Sequence, residues 1–243
     1  MKKLTMAISG CMLALSPLSA SEDIKSYQDS FDSFMQKRHA SPAKYTKAEQ
    51  KIMQDATLSL EKSLPNPGIH VGEKAPLFHL KNAFGKDISL KEELKKGPVI
   101  LVFYRGAWCP FCNMYLHVLQ ENLATFKKYG AQLITITPQS PNKSAQQIKK
   151  DGYPFEVLSD INNRVMKEYK LYFELPKEVL DIYEKHNLGI EVDKEKPTAL
   201  PVPGSFVLDT KGVVRAMQAQ TDYKIRMEPE MIIDALIKIS KEK

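Results

Sequence analysis

Cys109 and Cys112, spaced Cys-Pro-Phe-Cys, are the residues of this chain whose types and spacing can do chemistry. Two thiols three positions apart can cycle between dithiol and disulfide, can supply half of a tetrahedral zinc site, or can pack inertly as small hydrophobes. Zinc wants about four ligands, usually from a second pair. No second cysteine pair exists, and the nearest histidine, His117, lies five residues past Cys112 on the same predicted helix. His39, His70, His79, His117 and His186 form no spaced cluster. Redox chemistry is therefore the leading reading, and its reactive species is a thiolate.

Such a thiolate must be positioned and stabilised by the elements around it. The apolar run Pro98-Val99-Ile100-Leu101-Val102-Phe103-Tyr104 leads into the pair, and an amphipathic run from Asn113 to Lys128 leads out. The first reads as a buried strand and the second as a helix. Cys109 then stands at a helix N-terminus, where unpaired backbone N–H groups and the positive end of the helix dipole favour negative charge. Cysteine pKa values at such positions fall from about 8.5 to roughly 3.5–7.5. The sequence thus predicts an acidified Cys109.

The remaining pattern is that of an α/β chain. Ile24, Tyr27, Phe31, Phe34 and Met35 recur at helical spacing, and Thr46 with Glu49 forms a capping box ahead of a second helix whose stripe is Ala48, Ile52, Met53, Ala56 and Leu60. Pro65-Asn66-Pro67-Gly68 stops it. A hairpin is expected over 77–90, the central strand over 98–104, a helix over 110–129, a strand over 132–137 and a helix over 144–150. A strand over 154–158 and a helix capped by Ser159-Asp160 and running to about Lys167 follow. Residues 170–200 read as an insertion with a helix near 177–185. A hairpin over 205–217 and a helix opened by Pro229, with Met231, Ile232, Ala235, Leu236 and Ile239 on its apolar side, complete the chain. The final hairpin requires antiparallel pairing, so the sheet is mixed.

The 243 residues, 43% of them hydrophobic, suffice for one well-cored domain. Lys2 and Lys3, the apolar stretch Leu4 to Leu15 and the small residues up to Ala20 read as an export signal over 1–20, too short and polar for a membrane span. Ile8-Ser9-Gly10-Cys11 offers the alternative of a lipoprotein box with Cys11 as anchor. Cleavage after Ala20 leaves 33 basic against 29 acidic residues and two cysteines, those of the pair. An exported chain stapled by disulfides would carry more. The positive charge is dispersed among Lys-Glu mixtures, which argues for a solvated surface and against nucleic-acid binding. Residues 21–70 form an N-terminal helical extension that packs on the main domain, mediates homodimerisation, or does both.

The segment Phe103-Tyr104-Arg105-Gly106-Ala107-Trp108-Cys109-Pro110-Phe111-Cys112 resembles the active-site segment of the thioredoxin-fold superfamily. More narrowly, it resembles the peroxiredoxin-like branch of the alkyl hydroperoxide reductase / thiol-specific antioxidant family. Val71 to Phe78 resembles that family's opening strand, Leu200 to Asp209 its proline-containing strand, and Asp222 to Glu230 the approach to its last helix. The resemblance implies a thioredoxin-like domain over 71–243: a central mixed sheet flanked by helices, with the insertion ahead of the last hairpin. Cys109 would be the attacking thiol and Cys112 the resolving one. Pro203, preceded by Val202, would match the proline that is cis in thioredoxin folds. Trp108 would match the tryptophan before the first cysteine. Pro110 and Phe111 would complete the motif, and Arg105 would set positive charge near the thiolate or else pair with a carboxylate on the surface.

The chain departs from both relatives in the family. Phe103-Tyr104-Arg105 stands where peroxiredoxins carry the proline of a Pro-x-x-x-Thr-x-x-Cys segment, and no threonine precedes Cys109 in the loop. Phe103 also stands where thioredoxins carry a buried aspartate. Two activities stay open on these residues. The leading one is a thiol peroxidase acting on hydrogen peroxide or organic hydroperoxides, recycled by a thioredoxin-like dithiol protein. The other is an exported thiol–disulfide oxidoreductase. Neither calls for a metal, haem, flavin or nucleotide, and no Gly-rich phosphate loop is present.

Overall fold

In the computed structural model, which describes residues 24–192 and 198–242, two helices come first: α1 (Tyr27–His39) and α2 (Lys47–Ser63). The Thr46–Glu49 capping box forms, each side chain bonding the other residue's backbone N–H. Helix α1 lies on the main body. The N–H groups of Tyr27 and Gln28 donate to the Glu228 carboxylate, and the Asn122 side chain both accepts from the Lys25 N–H and donates to the Lys25 carbonyl. Tyr27 is buried against Tyr115, edge to face at 5.4 Å. Burying one such ring contributes about 1.5–3 kcal/mol. Helix α2 has only Met53, Ala56 and Leu60 of its expected stripe turned inward; Ile52 is exposed.

Strands β1 (His79–Asn82) and β2 (Asp87–Ser89) make the expected hairpin, and the short α3 (Leu90–Lys96) follows. The apolar run becomes β3 (Val99–Phe103), buried at every residue. Its alternation serves two cores. Ile100 and Val102 face one layer, and Val99, Leu101 and Phe103 face the other, which is why the strand reads as unbroken apolar sequence. Helices α4 (Pro110–Glu121) and α5 (Leu123–Lys128) replace the single helix expected over 110–129. The break is Asn122, whose side-chain amide turns back to the Val118 carbonyl while holding Lys25.

Strand β4 (Gln132–Thr137) matches its sequence limits. Helix α6 (Pro141–Asp151) starts earlier than expected because Ser140 caps it and Pro141 takes its first position. Strand β5 (Glu156–Ser159) is followed by α7 (Arg164–Glu168), whose Val165 and Met166 N–H groups are capped by the Asp160 carboxylate. The 170–200 insertion holds β6 (Tyr172–Glu174), α8 (Lys177–Lys185) and β7 (Ala199–Pro201), with β6 and β7 paired as a small second sheet. Strands β8 (Gly204–Leu208) and β9 (Val214–Ala219) and helix α9 (Pro229–Lys241) end the chain. In α9, Met231 is half-exposed, and Ile233 takes its place in the core.

The main sheet runs β2-β1-β5-β4-β3-β8-β9. Strands β3, β4 and β5 are mutually parallel, and every other pairing is antiparallel, so the sheet is mixed. Helices α1, α4, α5 and α9 pack on one face, and α3 and α7 on the other. This is a thioredoxin-like α/β arrangement. Residues 1–20, which carry the expected signal, and 193–197 lie outside the described residues.

Candidate active site

The strand-to-turn-to-helix passage from β3 to α4 places the cysteines as expected. Cys109 is the N-cap residue of α4 and Pro110 its first residue, exposed. Both residues are buried, at about 1% exposure, and their sulfurs lie 2.7 Å apart as free thiols in hydrogen-bond contact. The turn is held at Ala107. Its N–H donates to Gln139 Oε1, and its carbonyl accepts from Asn113 Nδ2. Gln139 and Asn113 are themselves joined through Gln147, so a ring of side-chain amides closes around the loop two residues before Cys109. Gly106 enters the turn at φ +145°. A Cβ there would lie 2.6 Å from Trp108 Nε1 and 3.2 Å from Gln139 Oε1, so the site needs glycine.

Two buried guanidiniums face the pair. Arg226 Nη2 donates to Cys112 Sγ at 3.4 Å, and its plane lies over the Tyr115 ring. Arg105 is 6% exposed, sandwiched between Trp108 at 4.7 Å and Tyr223 at 4.2 Å, and Nη2 donates to Tyr183 Oη at 3.0 Å. Of the two readings left open for Arg105, the one near the thiolate is the one its position fits. Among the described residues no carboxylate pairs with it. The Nε atoms of both arginines are buried without a partner. Two cations beside the sulfurs also disfavour a bound metal ion there.

The electrostatics act on the two thiols in opposite directions. Burial pushes the Cys109 thiol well above the ordinary cysteine value, and its hydrogen bond to Cys112 adds to that. Burial acts on Cys112 in the same direction. There the hydrogen bond from Cys109, Arg226 and Arg105 together outweigh it and bring the thiol down to about 6. The first proton of the pair is therefore lost easily and the second is held tightly. The helix terminus was legible in sequence. Arg226, which lies against Cys112, was not. Burial likewise raises Tyr223 to about 12, so its hydroxyl stays protonated beside Arg105.

Trp108 is half-buried and packs on Tyr183 at 5.3 Å, while Phe111 is buried between Phe34 and Tyr223. Pro203 is buried, but the bond Val202–Pro203 is trans, and no cis peptide occurs among the described residues. The reason lies in the register. The Val202 N–H donates to the Leu171 carbonyl, and Gly204 pairs with Phe103, so the chain runs extended from β7 into β8. Sequence reading missed Arg226, Tyr183, Tyr223 and Gln139. The only signal for Arg226 was a lone arginine between Ile225 and Met227 just ahead of a helix-opening proline.

A Cys-X-X-Cys pair at the first turn of a helix, on a mixed thioredoxin-like sheet with buried cations around it, defines a thiol-redox protein. The chain belongs to the AhpC/TSA family, whose model matches residues 71–217. It is 29% identical over 171 residues to a chloroplastic peroxiredoxin Q of Populus jackii, covering 70% of this chain and 68% of that one. To the chloroplastic peroxiredoxin Q of Triticum aestivum it is 30% identical over 168 residues, covering 69% and 65%. The chain thus spans about two thirds of the length of these relatives. The fold is similar to that of peroxidoxin BcpB from Mycobacterium tuberculosis, with a TM-score of 0.56 at 19% identity over 72% of this chain and 99% of that one. On the family match and these relatives, the protein is a thiol-dependent peroxidase of the peroxiredoxin type.

Proposed function

We propose that Cys109 attacks the peroxide and that Cys112 resolves the product. The observation that carries this is the two buried sulfurs in contact beside Arg105 and Arg226. Moving the thiol hydrogen across the 2.7 Å contact puts the charge on Cys109, at the helix N-cap and nearer the loop that carries Arg105. The Cys109 thiolate then attacks the outer peroxide oxygen. The S–O bond forms, the O–O bond breaks, and the electron pair leaves on the inner oxygen. The Cys112 thiol protonates that oxygen, which departs as water or an alcohol. The Cys112 thiolate attacks the sulfenic sulfur, a disulfide forms, and the hydroxide released takes a proton from solvent. Arg105 and Arg226 offset the negative charge at each stage.

A thioredoxin-like dithiol protein returns the pair to the reduced state by exchange. Export by a signal over residues 1–20 to the periplasm or cell exterior completes the reading. Its support is the basic, apolar and small-residue sequence there and the absence of cysteines beyond the pair in the remainder.

The test uses Trp108, the single tryptophan, as a reporter beside the pair. Reduced protein is mixed with hydrogen peroxide or a small disulfide and followed by stopped-flow fluorescence. Cys109→Ser is expected to abolish peroxide turnover. Cys112→Ser is expected to give one oxidation event and a sulfenic acid trapped by dimedone. A Cys109→Ser protein that still forms a trapped sulfenic acid would reverse the two roles. Fast exchange with the disulfide and no peroxide reaction above that of free cysteine would replace the peroxidase by an oxidoreductase of disulfides.

A further inference from the structure

Arg105 keeps a full positive charge in a buried place, and few groups hold it there. It is 6% exposed, no carboxylate pairs with it among the described residues, and its Nε has no partner. The rings of Trp108 and Tyr223 lie against the guanidinium at 4.7 and 4.2 Å. Ring faces attract a cation but do not bond its in-plane N–H groups. The directional contact is the one from Nη2 to Tyr183 Oη, 3.0 Å long between two buried side chains. Arg105 also lines two cavities, of about 520 and 400 Å³. Each has room for several water molecules, at about 30 Å³ apiece. A guanidinium that lost its phenolic acceptor would turn to that water, because a buried N–H left unbonded is costly.

We propose that Tyr183 is a positioning residue for the peroxidase: its hydroxyl keeps the Arg105 charge beside Cys109 and Cys112. The inference rests on the peroxidase reading and adds a residue to it. Tyr183 comes from α8, in the 170–200 insertion, and reaches Arg105 across 78 positions. Helix α8 is itself anchored. The buried Glu49 carboxylate, in the first turn of α2, accepts from Lys185 Nζ at 2.8 Å, and His186 Nε2 lies 3.1 Å from the same oxygen. Tyr45 packs edge to face on His186 at 4.8 Å. The Tyr183 ring also packs on Trp108 at 5.3 Å, next to Cys109 in the chain. Two elements outside the cysteine loop thus fix where the hydroxyl stands. Its effect falls above all on Cys109. Burial and the bond to Cys112 push that thiol up, and of the two arginines Arg105 opposes them more strongly than Arg226. With Arg105 turned into a cavity, the attacking sulfur would lose its stronger counter-charge.

Tyr183→Phe keeps the ring and removes the acceptor. The reduced full chain is titrated by its thiolate absorbance, and its oxidation by hydrogen peroxide is timed by rapid quench and a count of free thiols. The thiolate midpoint is expected to rise by about one pH unit, and the rate at pH 5 to fall about tenfold. The sign follows from the charge: a displaced cation disfavours the thiolate, so the rate deficit shrinks as pH rises past the new midpoint. In the Arg105→Met background the same substitution is expected to change neither quantity, because the hydroxyl acts through that guanidinium. Tyr172→Phe, which removes a hydroxyl bonded to Glu174, is expected to match the wild type. If the space left by the hydroxyl unfolds the first variant, 4-fluorophenylalanine at position 183 fills it with a poor acceptor and is expected to give the same shift. A folded variant with the wild-type midpoint and rate overturns the inference, as does an equal loss in the Arg105→Met background. A wild type no faster with peroxide than free cysteine overturns the peroxidase reading, while the midpoints still decide whether Tyr183 positions Arg105.

Discussion

Replacing Arg226 by methionine removes the cation that bonds Cys112 while keeping an unbranched apolar side chain beside Tyr115. The guanidinium donates to Cys112 Sγ at 3.4 Å in a fully buried setting. A hydrogen bond to a charged group contributes about 1.5–3 kcal/mol, and one pKa unit corresponds to about 1.36 kcal/mol. The Cys112 thiol, held at about 6, should therefore rise to roughly 7–8. At pH 7 the thiolate population falls from about nine-tenths to between about one-half and one-tenth. The sign is fixed: a lost cation disfavours the anion, so the deficit is greatest between the two midpoints, from about pH 6 to 8, and closes above the new one. Thiolate absorbance near 240 nm against pH reads the midpoint, and the rate of iodoacetamide alkylation checks it. Arg226→Lys keeps the charge and should move the midpoint less. A methionine variant that is folded by near-ultraviolet circular dichroism, yet still titrates near pH 6, would refute the assignment of the charge to Arg226.

The same ionisation links stability to pH. The folded value of Cys112 lies below its ordinary value of 9.0, so its contribution is fully present above about pH 9 and is lost as pH falls through about 6. The reduced protein should gain about 1 kcal/mol over Cys112→Ser between pH 6.5 and 7.5, measured by urea unfolding; an unchanged difference would contradict the depressed pKa. Gly106→Ala should cost roughly 1–3 kcal/mol through its backbone conformation and should displace Trp108. A lower Tm and a red-shifted emission are expected, and wild-type values of both would show that the turn tolerates a side chain.

The parts of the site legible in sequence were those fixed by local pattern. The apolar run at 98–104 and the amphipathic run after Cys112 named a strand and a helix, and the cysteines fell at their junction. The capping box at Thr46 and the limits of β4 and α8 were legible for the same reason. What failed was set by contacts distant in the chain. Asn122 breaks the helix because it holds Lys25, 97 positions away. Arg226 reaches Cys112 across 114 positions, and no local pattern announces that contact. Pro203 stays trans because its neighbours are committed to partners in β3 and after α7.

These distant contacts explain how the chain manages without the residues its family uses near the thiol. No threonine stands in the loop before Cys109, and Phe103 replaces the buried aspartate of thioredoxins. The work of holding the loop passes to Gln139, Gln147 and Asn113, which bind the backbone at Ala107. The work of stabilising charge passes to two arginines from opposite ends of the domain. A carboxylate near the sulfurs would have neutralised those arginines and raised the thiol pKa. Phe103, at that position, packs into the core on the other face of the sheet against Tyr169 and Phe206, and the positive field at the sulfurs is set by Arg105 and Arg226. A field of that sign favours a thiolate that attacks and an oxyanion that leaves, which is what peroxide reduction requires of its site.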